Sequence, residues 1–103
     1  MKGRKIGNLI WSDRSPKEMK WNDAKQYCED LAEGGFTDWR LPNLDDFNAL
    51  FGNGQSKFGD TELFWSSYIS VHSDSDFALC ANFGSRLLNF RNTSDSHYVR
   101  CVR

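Results

Sequence analysis

Apolar residues in the first half of the chain recur with a helical period in two segments. In segment 21–33 they fall three, four and three positions apart: Trp21, Ala24, Cys28 and Leu31. This spacing places them on one face and predicts an amphipathic first helix, which the Gly34-Gly35 pair would close. A second helix is predicted after Pro42, with Asn43 as its N-cap. Its apolar face comprises Leu44, Phe47, Leu50 and Phe51.

The pattern changes to a period of two in the second half, which is typical of strands. Together with a short strand near the N-terminus, strands are predicted at 7–12, 63–69, 77–83, 86–91 and 97–103. The alternation turns one set of side chains toward the core: Phe77, Leu79, Ala81, Phe83, Leu88 and Phe90. Segments 53–61 and 72–76 are polar and predicted as loops. Helices followed by strands predict an α+β fold with an antiparallel sheet.

The composition narrows the class of protein. A chain of 103 residues fits one domain, 1–103, and its 4 Trp and 8 Phe can build a dense core. A net charge of −1 argues against electrostatic binding to nucleic acid. No apolar run reaches the roughly 18 residues of a membrane span, and the first ten residues show no signal peptide. We therefore expect a cytoplasmic protein, or a secreted or cell-surface one if a signal was removed.

Three cysteines are present, Cys28, Cys80 and Cys101. An odd number fits one disulfide and a free thiol, or three free thiols, and no CxxC pair exists to form a zinc ribbon.

Segment 72–76 has oxygen ligands at alternate positions, which suits calcium, but lacks the glycine and terminal glutamate of an EF-hand loop. We interpret it as an ordinary turn and expect neither a metal nor a cofactor.

Four motifs occur in order along residues 7–103. They are Trp21-x2-Ala24-x2-Tyr27-Cys28, Gly34-Gly35-x2-Asp38-Trp39-Arg40-Leu41-Pro42, Phe64-Trp65-Ser66-Ser67 and Val99-Arg100-Cys101-Val102-Arg103. Together they resemble the Lcl C-terminal domain family, named after a bacterial collagen-like adhesin. That family is similar in turn to the C-type lectin-like superfamily, which includes the formylglycine-generating enzymes.

The resemblance implies a C-type lectin-like fold in which two helices flank a twisted antiparallel sheet and the N- and C-terminal strands pair. It also implies a disulfide between Cys28 and Cys101. The residue pattern agrees, since Cys28 lies on the apolar helix face and Cys101 on the inward face of the last predicted strand.

Several residues of these motifs are interpreted as structural: Trp21, Trp39, Arg40 and Trp65. Arg40 would bind a carboxylate such as Asp46, and the alternative is an anionic ligand. An exposed indole at Trp39 or Trp65 could instead stack on a sugar ring. Cys80 is interpreted as a packed thiol, and the alternative is a reactive one, as in a degenerate formylglycine-generating enzyme.

Polar and aromatic side chains on the later strands and turns form the predicted ligand surface: Tyr68, Asn82, Arg86, Asn89, Arg91, Asp95 and His97. Such a mixture suits polar recognition, although a plain solvated sheet face has the same composition. We expect a non-catalytic module that binds a polysaccharide or a protein at a bacterial cell surface. The alternatives are the degenerate enzyme and a self-associating structural piece of a surface or phage assembly.

Overall fold

The computed structural model describes residues 4–6, 9–52, 62–71 and 76–103. The elements are β1 (Arg4–Ile6), β2 (Leu9–Trp11), α1 (Trp21–Asp30), a 3₁₀ turn (Glu33–Gly35), α2 (Leu44–Gly52), β3 (Leu63–Val71), β4 (Asp76–Asn82) and β5 (Leu88–Asn92). The α+β class with two helices and an antiparallel sheet is confirmed. The loop predicted at 53–61 and residues 72–75 of the loop predicted at 72–76 lie outside the described residues, whereas Asp76 is already the first residue of β4. No helix in the described ranges is long and apolar enough to cross a membrane.

The main sheet has the order β3-β4-β5, with both pairs antiparallel. Its central strand β4 is buried on both faces, because Ala78 and Cys80 on one face and Ala81 on the other are all inaccessible to solvent. The alternation in the sequence predicted one buried face. Both are buried because each face of the sheet packs against one of the helices, which leaves no solvated side along β4.

Two hydrophobic clusters lie on opposite faces of this sheet, since the neighbouring residues Phe64 and Trp65 of β3 point in opposite directions. The α1-side cluster comprises Ala24, Cys28, Trp39, Leu41, Trp65, Ala78, Cys80, Val99 and Cys101. The α2-side cluster comprises Trp11, Phe47, Leu50, Phe64, Ala81, Phe83 and Val102. Each helix therefore contributes its predicted apolar stripe to one face of the sheet.

The predicted inward position of Phe90 is wrong. Phe90 of β5 is 49% exposed, and its ring contacts that of the equally exposed Tyr68. Leu88, two residues earlier, packs against the α2-side cluster. The alternation of the strand is therefore correct, but α2 covers the sheet only as far as Phe83 and Leu88. Phe90 consequently remains at the surface.

The sequence predicted that the first helix ends near Glu33. It ends three residues earlier, at Asp30. Leu31 adopts an extended backbone, and its N–H donates to the carbonyl of Cys28 at 3.2 Å. Gly34 and Gly35 do adopt the left-handed conformation, with φ of 68° and 84°. They end the 3₁₀ turn that follows α1 and not α1 itself. The helix ends earlier because the side chain of Leu31 packs on the α1-side cluster from an extended backbone.

The start of α2 agrees with the prediction. Asn43 Oδ1 accepts the N–H of Asp46 at 2.8 Å, and Asp46 Oδ2 accepts the N–H of Asn43 at 2.8 Å. This reciprocal pair satisfies two main-chain donors in the manner of a capping box, with aspartate in place of glutamate. The first turn of α2 is therefore fixed independently of the core.

The C-terminal segment does not form the strand predicted at 97–103. It makes isolated bridges instead, with His97 on Met19, Tyr98 on Phe64, and Val102 on both Trp11 and Arg40. Its partner changes every few residues, so no regular ladder develops. The two ends of the chain nevertheless meet, because Ile10 and Arg103 exchange two main-chain hydrogen bonds of 2.9 and 3.0 Å.

The disulfide between Cys28 and Cys101 is present, with a Cα–Cα distance of 5.6 Å. It joins α1 to the C-terminal segment beneath the sheet, and both residues are fully buried. The bridge thus attaches the chain end to the first helix, and Cys80 is left as the free thiol.

Candidate functional site

A bulge in β3 separates two regular stretches of the strand. The register against β4 shifts between Trp65 and Ile69. Within the bulge, the N–H of Ser67 donates to the carbonyl of Pro42 at 2.8 Å, and the hydroxyl of Ser66 accepts the N–H of Tyr68 at 3.1 Å. These bonds satisfy main-chain groups that the ladder cannot reach. The bulge therefore fastens β3 to the segment that precedes α2.

The first helix forms one wall beside this bulge. Trp21 Nε1 donates to the carbonyl of Ser66 at 2.9 Å, so the indole is held by the bulged strand. Lys25 and Glu29 follow Trp21 at intervals of four residues and share its stripe on the helix. Both are exposed, and Lys25 Nζ lies 6.0 Å from the centre of the Trp21 ring. An amino group and a carboxylate thus stand beside a fixed indole.

The segment before α2 forms the opposite wall. Arg40 Nη1 donates to Asp46 Oδ2 at 2.6 Å, the oxygen that also accepts the N–H of Asn43. The side chain of Asp46 is 10% exposed and that of Arg40 is 47% exposed. The charge of Arg40 is therefore balanced within the chain, as the sequence suggested, while half of its side chain still faces solvent. The guanidinium retains donors that Asp46 does not use.

Between the two walls lies a cleft of about 530 Å³. Its lining combines an indole, two cationic groups, one carboxylate, one amide, one hydroxyl and two aliphatic side chains: Trp21, Lys25, Glu29, Arg40, Leu41, Asn43, Ser67 and Ile69. A second depression of about 530 Å³ shares three of these residues and adds Leu44, Asp45 and Tyr68. The surface is therefore continuous across the bulge. Sites with a partly apolar lining and a few directed polar groups are typical of small-ligand recognition.

The residues predicted as the ligand surface do not form one site. Tyr68 borders the second depression. Asn82 stabilises the β4–β5 turn, because its amide oxygen accepts the N–H groups of Gly84 and Ser85 at 2.9 and 3.0 Å. Arg86 lies at the far end of this turn in the left-handed conformation, with φ of 62°, and its Nη1 donates to the carbonyl of Phe51 at 3.2 Å.

The other predicted ligand residues lie on the opposite side of the sheet from Tyr68. Asn89 and Arg91 of β5 are exposed and pair with Cys80 and Ala78, so they face the α1 side. Asp95 is exposed in the turn that follows β5.

His97 does not belong to an exposed surface. Its ring packs edge-on against Trp65, with the centroids 4.9 Å apart, and its Nε2 is buried without a hydrogen-bond partner in the described structure. Burial lowers the pKa of His97, while the nearby Asp95 and Glu18 oppose that shift. Bridging to Met19 draws His97 toward the core, so its Nε2 does not lie on the exposed surface where the sequence placed this side chain.

Cys80 is fully buried in the centre of the sheet. Burial raises the pKa of its thiol to about 12, so the thiol is protonated at neutral pH. Cys101, the other cysteine of the later strands, is occupied by the disulfide. This geometry gives no support to a nucleophilic role for Cys80. Within residues 4–6, 9–52, 62–71 and 76–103, no group of three His, Cys, Asp or Glu side chains is arranged to hold a metal.

Sequence reasoning missed most of the cleft. Lys25 and Glu29 carry a signal that could have been used, since their four-residue spacing from Trp21 places all three on one stripe. Ser67 and Ile69 carry no such sequence signal. The bulge that interrupts the alternation of β3 contains no glycine or proline that would indicate it. The cleft depends on that interruption, so its location follows from the fold and not from a motif.

The fold and the cleft define a small α+β domain with a helix-to-C-terminus disulfide and a polar cleft at a strand bulge. The chain belongs to the Lcl C-terminal domain family, whose model matches residues 5–103. This confirms the family that the four motifs suggested and indicates a surface-related module. No curated protein matches the chain.

Proposed function

We propose that this domain is a non-catalytic binding module of a bacterial cell surface, and that its cleft recognises a polysaccharide. The observation that carries the proposal is the composition of the cleft at the β3 bulge. A sugar ring presents an apolar face and a rim of hydroxyl groups. The cleft offers the indole of Trp21 to the apolar face of the sugar, and it offers donors on Lys25 and Arg40 and an acceptor on Glu29 to the hydroxyl groups.

The charges of the cleft support an uncharged or mixed-charge ligand. Arg40 is compensated by Asp46, and the remaining cation, Lys25, lies one helical turn from Glu29. No excess of one sign is left to attract a polyanion strongly. The proposal therefore rests on directed hydrogen bonds and ring contact and not on long-range attraction.

Location at the cell surface is part of the same proposal. Family membership and the buried disulfide support it, because disulfides persist in oxidising compartments.

A protein ligand is the second candidate, and the exposed pair Tyr68 and Phe90 favours it, since aromatic residues are enriched at protein interfaces. Neither feature supports the alternative of a degenerate enzyme, which would need an accessible Cys80.

A glycan array followed by titration of the hits tests the proposal on the intact domain. We expect binding that falls by at least about tenfold in the double variant Lys25→Ala/Glu29→Ala, since each change removes one hydrogen-bonding group from the cleft. The matched control is Lys17→Ala/Glu18→Ala, which removes the same two charges from exposed positions outside the cleft. Equal loss in both variants, or no glycan binding at all, would contradict the proposal. A specific protein partner recovered instead would favour the second candidate.

A further inference from the structure

Strand β5 is the outer strand of the main sheet, since β3, β4 and β5 pair in that order. Two main-chain bonds fix which of its residues bond to β4. The N–H of Asn82 donates to the carbonyl of Leu87 at 2.9 Å, and the N–H of Thr93 donates to the carbonyl of Asp76 at 3.1 Å. These bonds identify the hydrogen-bonded positions at both ends of the ladder.

Hydrogen-bonded and non-hydrogen-bonded positions alternate along an antiparallel pair. In the observed register, Asn89 and Arg91 therefore direct their main-chain groups toward β4, while Leu88 and Phe90 direct theirs away from the sheet. The described part of the chain provides no main-chain partner for the outward groups of these two residues. An unpaired strand edge of this kind is a template for another strand.

Side chains next to this edge favour contact with another surface. Phe90 and Tyr68 are each 49% exposed, and their ring centroids lie 6.0 Å apart. They form an aromatic patch on one face of the sheet, and Phe90 lies on the edge strand itself. The edge thus offers main-chain hydrogen bonds together with apolar area, the two components of strand addition.

We propose that two copies of the domain associate by antiparallel pairing of their β5 strands, with a two-fold axis at Phe90. This register places Leu88 opposite Asn92 of the second copy and Asn89 opposite its Arg91, so no like charges are opposed. It also places the two Phe90 rings side by side. The result is a continuous six-stranded sheet, and this association goes beyond ligand binding in the cleft.

Charge complementarity identifies a second copy as the occupant. Arg86 precedes β5 and Asp95 follows it, and both are exposed. Antiparallel pairing brings Arg86 of one copy to the end that carries Asp95 of the other, and the two-fold axis repeats this contact at the opposite end. An isologous interface needs such self-complementarity. Because β5 has only five residues, we expect a weak, reversible dimer.

Sedimentation velocity over a series from micromolar to millimolar protein tests the association. We expect a monomer–dimer equilibrium whose dissociation constant rises at least about tenfold in Phe90→Lys, because two like charges then meet at the axis. The matched control is Val71→Lys, which adds the same charge at a 73% exposed position on β3. A monomer throughout the series, a closed trimer, or an equal effect of the two variants would overturn the proposal.

Two further measurements locate the interface. In hydrogen exchange, the amides of Leu88 and Phe90 should gain protection as concentration rises, while those of Asn89 and Arg91 should be protected throughout. Arg86→Glu and Asp95→Arg should each weaken the dimer, and the double variant should restore it, since the charges are exchanged between the two ends. Concentration-independent exchange at Leu88 and Phe90, or additive weakening in the double variant, would contradict pairing through β5.

Discussion

The two faces of the main sheet are held together in different ways. On the α2 side the contacts are between rings: Phe64 stacks on Phe83 with centroids 4.5 Å apart, and Phe47 packs against both Phe83 and Trp11. On the α1 side, the buried indoles of Trp39 and Trp65 and several smaller residues pack around the disulfide between Cys28 and Cys101. One face is therefore held by ring packing, and the other adds a covalent bond to its apolar packing.

Directional hydrogen bonds add to this difference. Three indole groups around the α1 side donate to main-chain carbonyls: Trp21 to Ser66, Trp39 to Glu33 and Trp65 to Met19, at 2.9, 3.2 and 2.7 Å. The bonds of Trp21 and Trp65 connect the start of α1, and Met19 just before it, to β3 beside the bulge, and the cleft lies next to them. The comparison indicates that the α2 side supplies much of the apolar stability, while the α1 side defines the geometry of the candidate site.

The largest effect is expected from Phe64→Ala. Phe64 is fully buried, and its loss leaves a cavity among rings, so we expect the free energy of unfolding to fall by about 3 to 5 kcal/mol. Chemical denaturation measures this directly. Val71→Ala, at a 73% exposed position of the same strand, is the control and should be nearly neutral. Similar losses in the two variants would show that the ring packing does not carry the stability of this face.

Opening the disulfide is the matching perturbation of the α1 side. The bond joins residues separated by 73 positions, and the chain-entropy model gives about 4 kcal/mol for a loop of that length. We expect Cys28→Ala/Cys101→Ala to lose about 2 to 4 kcal/mol in urea denaturation. A free-thiol titration of denatured, unreduced wild type should find one thiol, from Cys80. Three free thiols would contradict the bridge and the contrast between the two faces.

Much of this contrast was accessible from the sequence. The spacing of Trp21, Ala24 and Cys28 predicted the stripe that packs on one face, and Asn43 predicted the start of α2. The disulfide came from family resemblance, because spacing alone left the pairing of three cysteines open. These features depend on local sequence or on a family motif. Tertiary contacts alter such features little, so the sequence predicts them well.

The parts that could not be predicted depend on tertiary contacts. The last residues satisfied a strand pattern, yet their main-chain hydrogen bonds are divided among four segments: residues 10–15, Met19, Arg40 and β3. Phe90 followed the apolar alternation of its strand, but neither helix covers that position of the sheet. The cleft required both the β3 bulge and the juxtaposition of Trp21 with Arg40, which lie 19 positions apart along the sequence.

A smaller effect is expected at the start of α2. Asp46 accepts from the guanidinium of Arg40 and from the N–H of Asn43, so Asp46→Ala leaves two donors without their acceptor. We expect a loss of about 1 to 2 kcal/mol, measured by urea denaturation. Asp45→Ala removes the neighbouring carboxylate from the same first turn without removing a cap, and should cost about 0.5 kcal/mol. Equal costs would mean that the capping box contributes nothing beyond the helix dipole.

The smallest expected effect is a difference between the two faces in how the free energy of unfolding depends on pH. Burial lowers the pKa of His97 below its ordinary value of 6.5, so the unfolded chain binds the proton more readily than the folded one. Stability should therefore be complete above about pH 6.5 and should fall as the pH drops from there toward the lower folded pKa. The α2-side cluster contains no histidine. Accordingly, His97→Gln should reduce the loss of stability on mild acidification, whereas Phe64→Ala should leave the slope unchanged. If His97→Gln and wild type lose stability in parallel over this range, the packing of His97 on Trp65 does not set the response of the α1 side to acid.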